Sequence, residues 1–359
     1  MSSMLEDQIK QFLSATQFAD AQFQPIAGDA STRSYRRAKA QGKQAVLLIA
    51  PPGAEAPDCP RDASPAERQR LGYNACARLA GPNLHAFSAV AKMLRDAGMS
   101  APEIYAEDAV TGLALIEDLG DGLYVREAVG EREEPLYHAA VMALVHLHQQ
   151  APAPPNNDDY AMLSYDETAL GVEVELLTQW YWELKTGAPP SDDFKAEFRG
   201  LFDEAIARLS RPSAIVLRDF HAENLLWLPE REGVRRVGVI DFQDGLVGHS
   251  AYDLVSLLED ARRDVDEALQ QKMVAAYLNS ARERIDGFDA DQFADDYAIL
   301  EAQRNAKILG IFARLYVRDK KERYLDFLPR VEAHFAKDLR RHGLEKLNAF
   351  VTAHLPVSP

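Results

Sequence analysis

The chain has 359 residues, of which 47% are hydrophobic, so it can bury a large core arranged in two or three domains or lobes. Its 40 basic and 56 acidic residues give a formal net charge of −16. This excess of acid argues against a nucleic-acid partner, because phosphate backbones need a clustered positive field. No apolar run is long enough to span a membrane. The two cysteines, Cys59 and Cys76, form no CxxC pair and indicate reduced thiols, so we expect a soluble, cytoplasmic protein.

The first third of the chain combines strands with one main helix. It opens with an amphipathic helix around residues 5–13, which is too charged to be a signal peptide. A β-like run follows at 45–49, and the prolines after it predict an irregular stretch reaching about residue 82. A helix is predicted at 86–97, and two further strands at 104–106 and 113–116.

The remainder of the chain has a different pattern. From residue 124 onward the apolar spacing is mostly helical, interrupted by a β-rich stretch at 214–242. The order of these elements predicts an α+β protein with two lobes. The small, β-rich N-terminal lobe would comprise residues 1–118, and the large, mainly helical C-terminal lobe would comprise residues 119–359.

The β-rich stretch carries the residues that point to a chemistry. Asp219 precedes Asn224 by five residues on a predicted loop, and Asp241 ends a later strand. Phosphoryl transfer from a magnesium nucleotide needs one carboxylate to accept the proton of the acceptor hydroxyl, and one amide plus one carboxylate to hold metal. A turn or a helix cap explains any one of these aspartates equally well, but the three together predict Asp219 as catalytic and the other two as metal ligands. Asp253 begins a helical pattern and either supports this loop or caps its own helix.

A hydroxyl-rich turn lies near the N-terminus. It follows Gly28 and contains Ser31, Thr32 and Arg33, which could cover nucleotide phosphates together with backbone N–H groups. Without the aspartates farther along the chain, an ordinary polar hairpin would explain this turn better. We therefore predict a phosphate-binding role for these three residues as part of the larger set.

The end of the last strand in the N-terminal lobe is a second candidate for nucleotide binding. Glu117 and Leu119 lie on an extended connector, and adenine in kinases is read by backbone groups of such a segment. A strand that simply ends in a turn at Gly120 has the same sequence pattern. The connector is thus compatible with either interpretation.

Four histidines invite a metal site, and the pattern argues against one. His146 and His148 are two residues apart on a predicted helix and point to different faces, so they cannot easily share an ion. His221 and His249 flank the two catalytic segments, where either could touch a substrate. No zinc-like ligand cluster accompanies them.

These motifs resemble those of the aminoglycoside phosphotransferase family, over nearly the whole chain. The matching segments are Asp-x-x-x-x-Asn at 219–224, Ile-Asp-Phe at 240–242, Tyr-Asp-Leu at 252–254 and Leu-x-x-Leu-His at 144–148. Within the family, four segments are similar to the bacterial anomeric kinases for N-acetylmuramate and N-acetylglucosamine. They are 28–31, 50–52, 117–121 and 302–310.

The resemblance implies a protein-kinase-like fold that uses ATP and Mg²⁺. It further implies phosphorylation of the anomeric hydroxyl of an amino sugar, in peptidoglycan recycling, by a monomer whose partner is a small-molecule sugar. In such a fold, the helices carrying Glu175, Tyr181 and Arg304 wall the acceptor site. Aromatic faces suit sugar rings, and an arginine suits a lactyl carboxylate. Trp180 and Trp182, which flank the tyrosine, are equally well explained as core residues.

Three departures from the family pattern bear on the mechanism. Leu217 stands where many relatives have a histidine, so the catalytic loop must be braced differently. The strand at 46–49 has no lysine, and the helix at 86–97 offers no glutamate to pair with one. The phosphate charge must therefore be met by Arg33 or Arg36 together with metal.

Two alternative functions come from other classes. A kinase for an aminoglycoside or a small amino alcohol would keep the same catalytic residues. A non-catalytic interaction module would be expected to have lost part of the set Asp219, Asn224 and Asp241, which is complete here. The preferred sugar and the anomer formed are left open.

Overall fold

The computed structural model describes residues 2–26, 32–54 and 58–355. The chain divides into two compact units, and each unit is assembled from several segments. The first unit comprises residues 1–127, 152–162 and 224–245, and the second comprises 128–151, 163–223 and 246–359. The boundary after residue 118 stays a prediction about lobes.

Strands are concentrated in the first unit and helices in the second, as predicted. Among the described residues, no helix combines the length and the apolarity needed to cross a bilayer. The strands are β1 (Gln22–Ile26), β2 (Ser34–Ala40), β3 (Lys43–Ile49), β4 (Ile104–Asp108), β5 (Leu113–Ile116), β6 (Ala214–Val216), β7 (Leu225–Trp227), β8 (Val237–Val239) and β9 (Leu246–Gly248). The helices are α1 (Ser2–Leu13), α2 (Pro65–Leu71), α3 (Tyr73–Ala77), α4 (Leu84–Asp96), α5 (Tyr124–Glu127), α6 (Glu133–Gln150), α7 (Glu167–Leu176), α8 (Trp182–Thr186), α9 (Asp192–Ile206), α10 (Ala251–Leu258), α11 (Glu267–Arg284), α12 (Ala290–Val317), α13 (Leu328–Asp338) and α14 (Glu345–His354).

The main sheet of the first unit is antiparallel, in the order β1-β2-β3-β5-β4. The three strands predicted from sequence are β3, β4 and β5, which are confirmed, and the predicted helix at 86–97 is α4. Alternate residues of β3 and β5 pack against α1, and burying this apolar face at about 25 cal/mol per Å² is what fixes the strand register. This cluster consists of Ile9, Leu13, Phe18, Ala38, Ala45, Leu47, Ile49, Leu113 and Leu115.

The predicted irregular stretch between β3 and α4 is partly wrong, because it contains the short helices α2 and α3. The local sequence explains α2. Ser64 accepts a hydrogen bond from the Glu67 N–H, the Glu67 carboxylate accepts one from the Ser64 N–H, and Pro65 occupies the first helical turn. This capping box starts a helix in a proline-rich segment, because proline at the first position removes no helical hydrogen bond.

The second unit is built around α12, a helix of 28 residues that packs against α7, α10 and α13. A five-residue π-helical turn, Leu177–Tyr181, follows α7 and lies against α12. Gly310 of α12 permits this approach, because a Cβ atom on it would lie 2.3 Å from the carbonyl carbon of Leu176. A two-stranded ladder of β6 and β9 leads into the candidate catalytic segment.

The Gly310 contact can be tested by substitution. We expect Gly310→Ala to lower the free energy of unfolding by about 1–3 kcal/mol, because the added methyl group collides with backbone atoms that cannot move aside. The midpoint of thermal unfolding would report the change.

The matched control is Gly200→Ala, in the interior of α9. A Cβ atom on Gly200 would meet no atom within 4 Å. This substitution should therefore raise stability by about 0.5–1 kcal/mol through the lower conformational entropy of the unfolded chain. Equal effects of the two substitutions would contradict the packing argument.

Candidate active site

The segment that carries Asp219 is held by a buried aspartate. Asp253, on α10, is 1% exposed, and its carboxylate accepts hydrogen bonds from the N–H groups of Leu217 (2.6 Å) and Arg218 (2.9 Å). Of the two roles considered for Asp253, these contacts favour support of the loop over capping of its own helix. Arg218 has φ of 69°, a left-handed conformation that costs a non-glycine residue roughly 1–3 kcal/mol unless its surroundings hold it.

The side chain of Arg218 supplies the second brace. It pairs with the carboxylate of Glu173, which is 0% exposed on α7. The same carboxylate lies 3.0 Å from the Lys307 Nζ and accepts hydrogen bonds from Gln303 (3.1 Å) and the Tyr165 hydroxyl. Burial alone would raise the pKa of Glu173, but the two cations lower it below its ordinary value, so the group is ionised. This cluster does the bracing that the absence of a histidine at position 217 requires.

Asp219 itself is half-buried among positive groups. Burial would raise its pKa, but the positive field of His221, Lys307, Arg218 and Arg304 lowers it below the ordinary value. Burial also lowers the pKa of His221 to about 4, so near neutral pH the field comes from the lysine and the two arginines. Asp219 is thereby kept ionised and able to accept a proton from a hydroxyl group.

The two predicted metal ligands belong to the first unit, where the β7–β8 hairpin places them. Leu225 pairs with Val239, so Asn224 just before β7 and Asp241 just after β8 lie at the same end of the hairpin. The Ile240 N–H donates to the Asn224 carbonyl at 3.0 Å and extends the ladder by one step. This pairing brings together two oxygen-bearing side chains that are distant in sequence.

Oxygen chemistry at Asp241 suits a hard divalent cation such as Mg²⁺. The side chain of Asp241 is 36% exposed, and its Oδ1 accepts from Arg33 Nη2 (2.9 Å) and Gln243 Nε2 (3.0 Å). The Oε1 atom of Gln243 is buried and has no hydrogen-bond partner among the described residues. Carboxylate and amide oxygens such as those of Asp241 and Asn224 are of the type that suits the metal predicted from the motif, and their role as ligands stays a prediction.

Arg33 and Arg36 were the two candidates to replace the missing strand lysine, and they differ in position. Arg36 pairs with Glu6 of α1 at 2.7 Å. Arg33 directly precedes β2 and contacts Asp241. Thr32 lies beside it in the β1–β2 connection, while Ser31 lies outside the described residues. The geometry thus favours Arg33.

The predicted adenine connector has its side chains engaged elsewhere. The Glu117 carboxylate pairs with Arg231, and the Glu117 N–H donates to the Glu103 carbonyl at 2.8 Å. Leu119 is half-buried near β8. A role in nucleotide binding for these two residues would rest on the backbone, as the sequence indicated.

The predicted acceptor residues contact different partners. Glu175 pairs with Arg199 of α9, and Tyr181 is buried in the π-helical turn. Arg304 lies in the field around Asp219, but it is 3% exposed and donates to Ser256 Oγ (2.9 Å) and to the Glu259 carbonyl (3.3 Å). The acceptor roles of these residues stay predictions.

The sequence interpretation missed Glu173, Lys307 and Arg262. Glu173 was detectable as an acid flanked by two valines in an otherwise largely apolar stretch of a helix, which signals a buried charge with a distant partner. Lys307 belongs to the segment 302–310, but nothing in its spacing revealed its contacts. Arg262 contacts His221 and Glu223 in the catalytic segment through a loop that carries no motif.

Two other polar groups have structural explanations. His148 is buried, and its Nδ1 lies 2.7 Å from the Tyr277 hydroxyl. The carboxylates of Glu259, Glu301 and Asp338 lie within 4.8 Å of one another. The Asn305 amide donates to the first and last of these at 2.7 Å each, so the group is filled by a hydrogen-bond donor of the chain itself.

Comparison with known proteins identifies the family. The family model described as "Phosphotransferase enzyme family" matches residues 22–288. A Caulobacter vibrioides protein named N-acetylmuramate/N-acetylglucosamine kinase is 40% identical, over 99% of this chain and 98% of that protein. A Pseudomonas putida protein of the same name is 29% identical, over 90% of this chain and 86% of that protein.

Solved structures agree on the fold. The microcompartment-associated aminopropanol kinase has a TM-score of 0.60 at 13% identity, covering 96% of this chain and 98% of its own. The ADP-bound aminoglycoside phosphotransferase APH(2'')-Ib has a TM-score of 0.54 at 12% identity, covering 94% and 99%. The predicted protein-kinase-like fold and the predicted family are confirmed. The chain belongs to the phosphotransferase enzyme family.

Proposed function

We propose that the protein is an ATP-dependent kinase that phosphorylates the anomeric hydroxyl of an amino sugar, N-acetylmuramate or N-acetylglucosamine. The observation that carries this proposal is the 40% identity to a kinase named for both sugars, over 99% of the chain. The half-buried, ionised Asp219, on a segment braced by Asp253 and Glu173, agrees with it. From the substrate we infer a role in peptidoglycan recycling, and we propose that the protein works in the cytoplasm as a monomer.

The catalytic role falls to Asp219. Its carboxylate would accept a hydrogen bond from the sugar hydroxyl, orient that oxygen toward the γ-phosphorus and take the proton as the new P–O bond forms and the bond from the γ-phosphorus to the leaving ADP oxygen breaks. The Asp253 and Glu173 contacts hold the backbone and the preceding arginine in place, so the carboxylate is positioned before substrate binds. Fixed placement of this kind is the main contribution that a protein makes to phosphoryl transfer.

Phosphate charge would be met by groups of the first unit. Asn224 and Asp241 would hold Mg²⁺, which when bound neutralises charge on the phosphate oxygens. Arg33, at 2.9 Å from Asp241, would bind the phosphates where the usual strand lysine is missing. Thr32 and Ser31 belong to the same proposed phosphate-binding turn, and the connector at 117–119 would bind adenine through its backbone.

The catalytic assignment predicts the behaviour of Asp219→Asn. Turnover should fall by about 10²–10⁴-fold, because the amide cannot take a proton, whereas ATP affinity measured by calorimetry should stay nearly unchanged. Asp286→Asn, on an exposed turn, serves as the control and should retain full turnover. Near-wild-type turnover of Asp219→Asn would remove Asp219 from this role.

The field around Asp219 predicts a pH effect for Lys307→Met. Lys307 helps to lower the pKa of Asp219, so its removal should raise that pKa. Because a protonated Asp219 cannot act as a base, the acidic limb of the kcat profile should move to higher pH. Rates measured between pH 4 and pH 9 with saturating ATP and sugar would show the shift.

Lys185→Met is the matched control. Lys185 has the same type of surroundings as Lys307, with Glu332 at 2.8 Å and the Tyr181 ring at 5.8 Å, but it is not among the charged groups that lower the pKa of Asp219 most. The acidic limb of the kcat profile of Lys185→Met should therefore coincide with that of the wild type. An unmoved limb in Lys307→Met, or equal shifts in both variants, would contradict the electrostatic argument.

Substrate identity is tested by ATP consumption against amino sugars, aminoglycosides and amino alcohols. We expect turnover with N-acetylmuramate and N-acetylglucosamine, and products that have lost their reducing end because the anomeric oxygen carries phosphate. Turnover confined to an aminoglycoside or amino alcohol would replace the proposed substrate. No magnesium-dependent turnover with any compound would favour a non-catalytic module.

A further inference from the structure

The two sugars proposed as acceptors differ in charge, and this inference rests on that proposed function. N-acetylmuramate carries a lactyl carboxylate, whereas N-acetylglucosamine is neutral. An enzyme that accepts both sugars must offer a cation to the carboxylate of N-acetylmuramate. The same cation must not be left desolvated and without a counter-charge when N-acetylglucosamine binds. The site therefore needs a positive side chain that already has an exchangeable partner of its own.

Three cations near Asp219 do not meet this requirement. Arg218 and Lys307 are committed to the buried Glu173, and their removal would leave that carboxylate uncompensated. Arg304, the residue predicted from sequence to bind the carboxylate, is 3% exposed and donates to a hydroxyl and a carbonyl of its own unit. Turning it toward a ligand would abandon both bonds inside the core.

Arg262 has the required properties. Its side chain is 21% exposed, and its Nε lies 3.1 Å from the Glu223 Oε2 atom, on a side chain that is 41% exposed. Its Nη1 lies 3.5 Å from Nε2 of His221, which follows Asp219 by two residues. The guanidinium thus lies beside His221 and Glu223, two and four residues after Asp219 on the catalytic segment, and is partly exposed to solvent.

The backbone of Arg262 is tied to the same segment. Its N–H donates to Asp260 Oδ1 at 2.9 Å, and Asp260 Oδ2 accepts from the Ala222 N–H at 3.3 Å. The guanidinium also lies over the Phe312 ring, 5.6 Å from its centre. These contacts hold the arginine in one place relative to the catalytic segment, so little conformational entropy remains to be lost when it binds an anion.

We propose that Arg262 binds the carboxylate of an acidic sugar acceptor and that Glu223 occupies the guanidinium when the acceptor is neutral. A neutral sugar leaves the Arg262–Glu223 pair intact. An acidic sugar presents a second carboxylate, which shares or replaces that of Glu223 at the edge of the site, where the displaced side chain is hydrated. This exchange lets one site accept both sugars.

The test compares kcat/KM for N-acetylmuramate and N-acetylglucosamine at saturating ATP. The ratio is kcat/KM for N-acetylmuramate divided by kcat/KM for N-acetylglucosamine. In Arg262→Gln, we expect this ratio to fall about tenfold to a hundredfold, because the acidic sugar loses a charge-assisted hydrogen bond and its KM alone rises. Glu223→Gln removes the competing carboxylate and should change the ratio in the opposite direction, by about twofold to fivefold.

Arg330→Gln is the matched control. Arg330 is 22% exposed and holds the same loop, through Asp264 and the Ala261 carbonyl, and in the described part of the chain its hydrogen bonds and ion pair stay within this loop. It should leave the ratio unchanged. The ratio of two substrates on one enzyme preparation cancels losses of folded protein, and Glu223→Gln provides an independent readout if Arg262→Gln folds poorly.

Each outcome has a distinct meaning. A lowered ratio in Arg262→Gln with a raised ratio in Glu223→Gln supports the proposal. Equal losses for both sugars in Arg262→Gln, or an equal change of the ratio in Arg330→Gln, overturns it while the proposed function stands. A wild-type protein that phosphorylates neither sugar overturns the proposed function first. One that phosphorylates N-acetylglucosamine alone overturns the assignment of Arg262.

Discussion

The Glu173 carboxylate, buried without solvent contact, is the interaction on which the catalytic segment depends. Removing a charge from water costs several kcal/mol, and here Arg218, Lys307 and two neutral donors offset that cost. The same contacts join α7, α12 and the residue before Asp219, three elements far apart in sequence. Because an uncompensated buried charge is unfavourable, the partners hold one another in place, and the left-handed backbone at Arg218 is held as a consequence.

This cluster also carries more positive than negative charge, and the excess acts on Asp219. Desolvation of a half-buried carboxylate such as Asp219 ordinarily raises its pKa and makes it a poorer proton acceptor near neutral pH. The cations held by Glu173 reverse that tendency. One set of contacts therefore fixes both the position and the ionisation of the proposed base, and the structural role cannot be separated from the electrostatic one.

In the first unit, the register of the β7–β8 pair positions the two predicted metal ligands. Antiparallel pairing sets Asn224 and Asp241 at one end of the hairpin, as their motifs indicated. The motifs do not reveal which cation lies beside Asp241. The cation beside Asp241 comes from the β1–β2 connection, about 200 residues earlier, and only the folded chain distinguishes Arg33 from Arg36, which lies three positions away and pairs with α1. A strand exposes alternate residues to opposite faces, but the sequence of a short polar turn does not reveal where that alternation begins.

By itself, the sequence determined the family, the strand-rich and helical halves, and the order of Asp219, Asn224, Asp241 and Asp253. These features follow from the spacing of residues close together in the sequence. Phosphoryl transfer needs carboxylates at particular strand ends and loops, and short motifs record those positions. Tertiary structure decided which arginine and lysine side chains lie near these carboxylates. Arg304 was expected at the acceptor and is turned into the core, while Arg262, outside any motif, reaches the catalytic segment. The direction and partner of an arginine or lysine depend on how helices distant in sequence pack, and no periodicity within one helix encodes that packing.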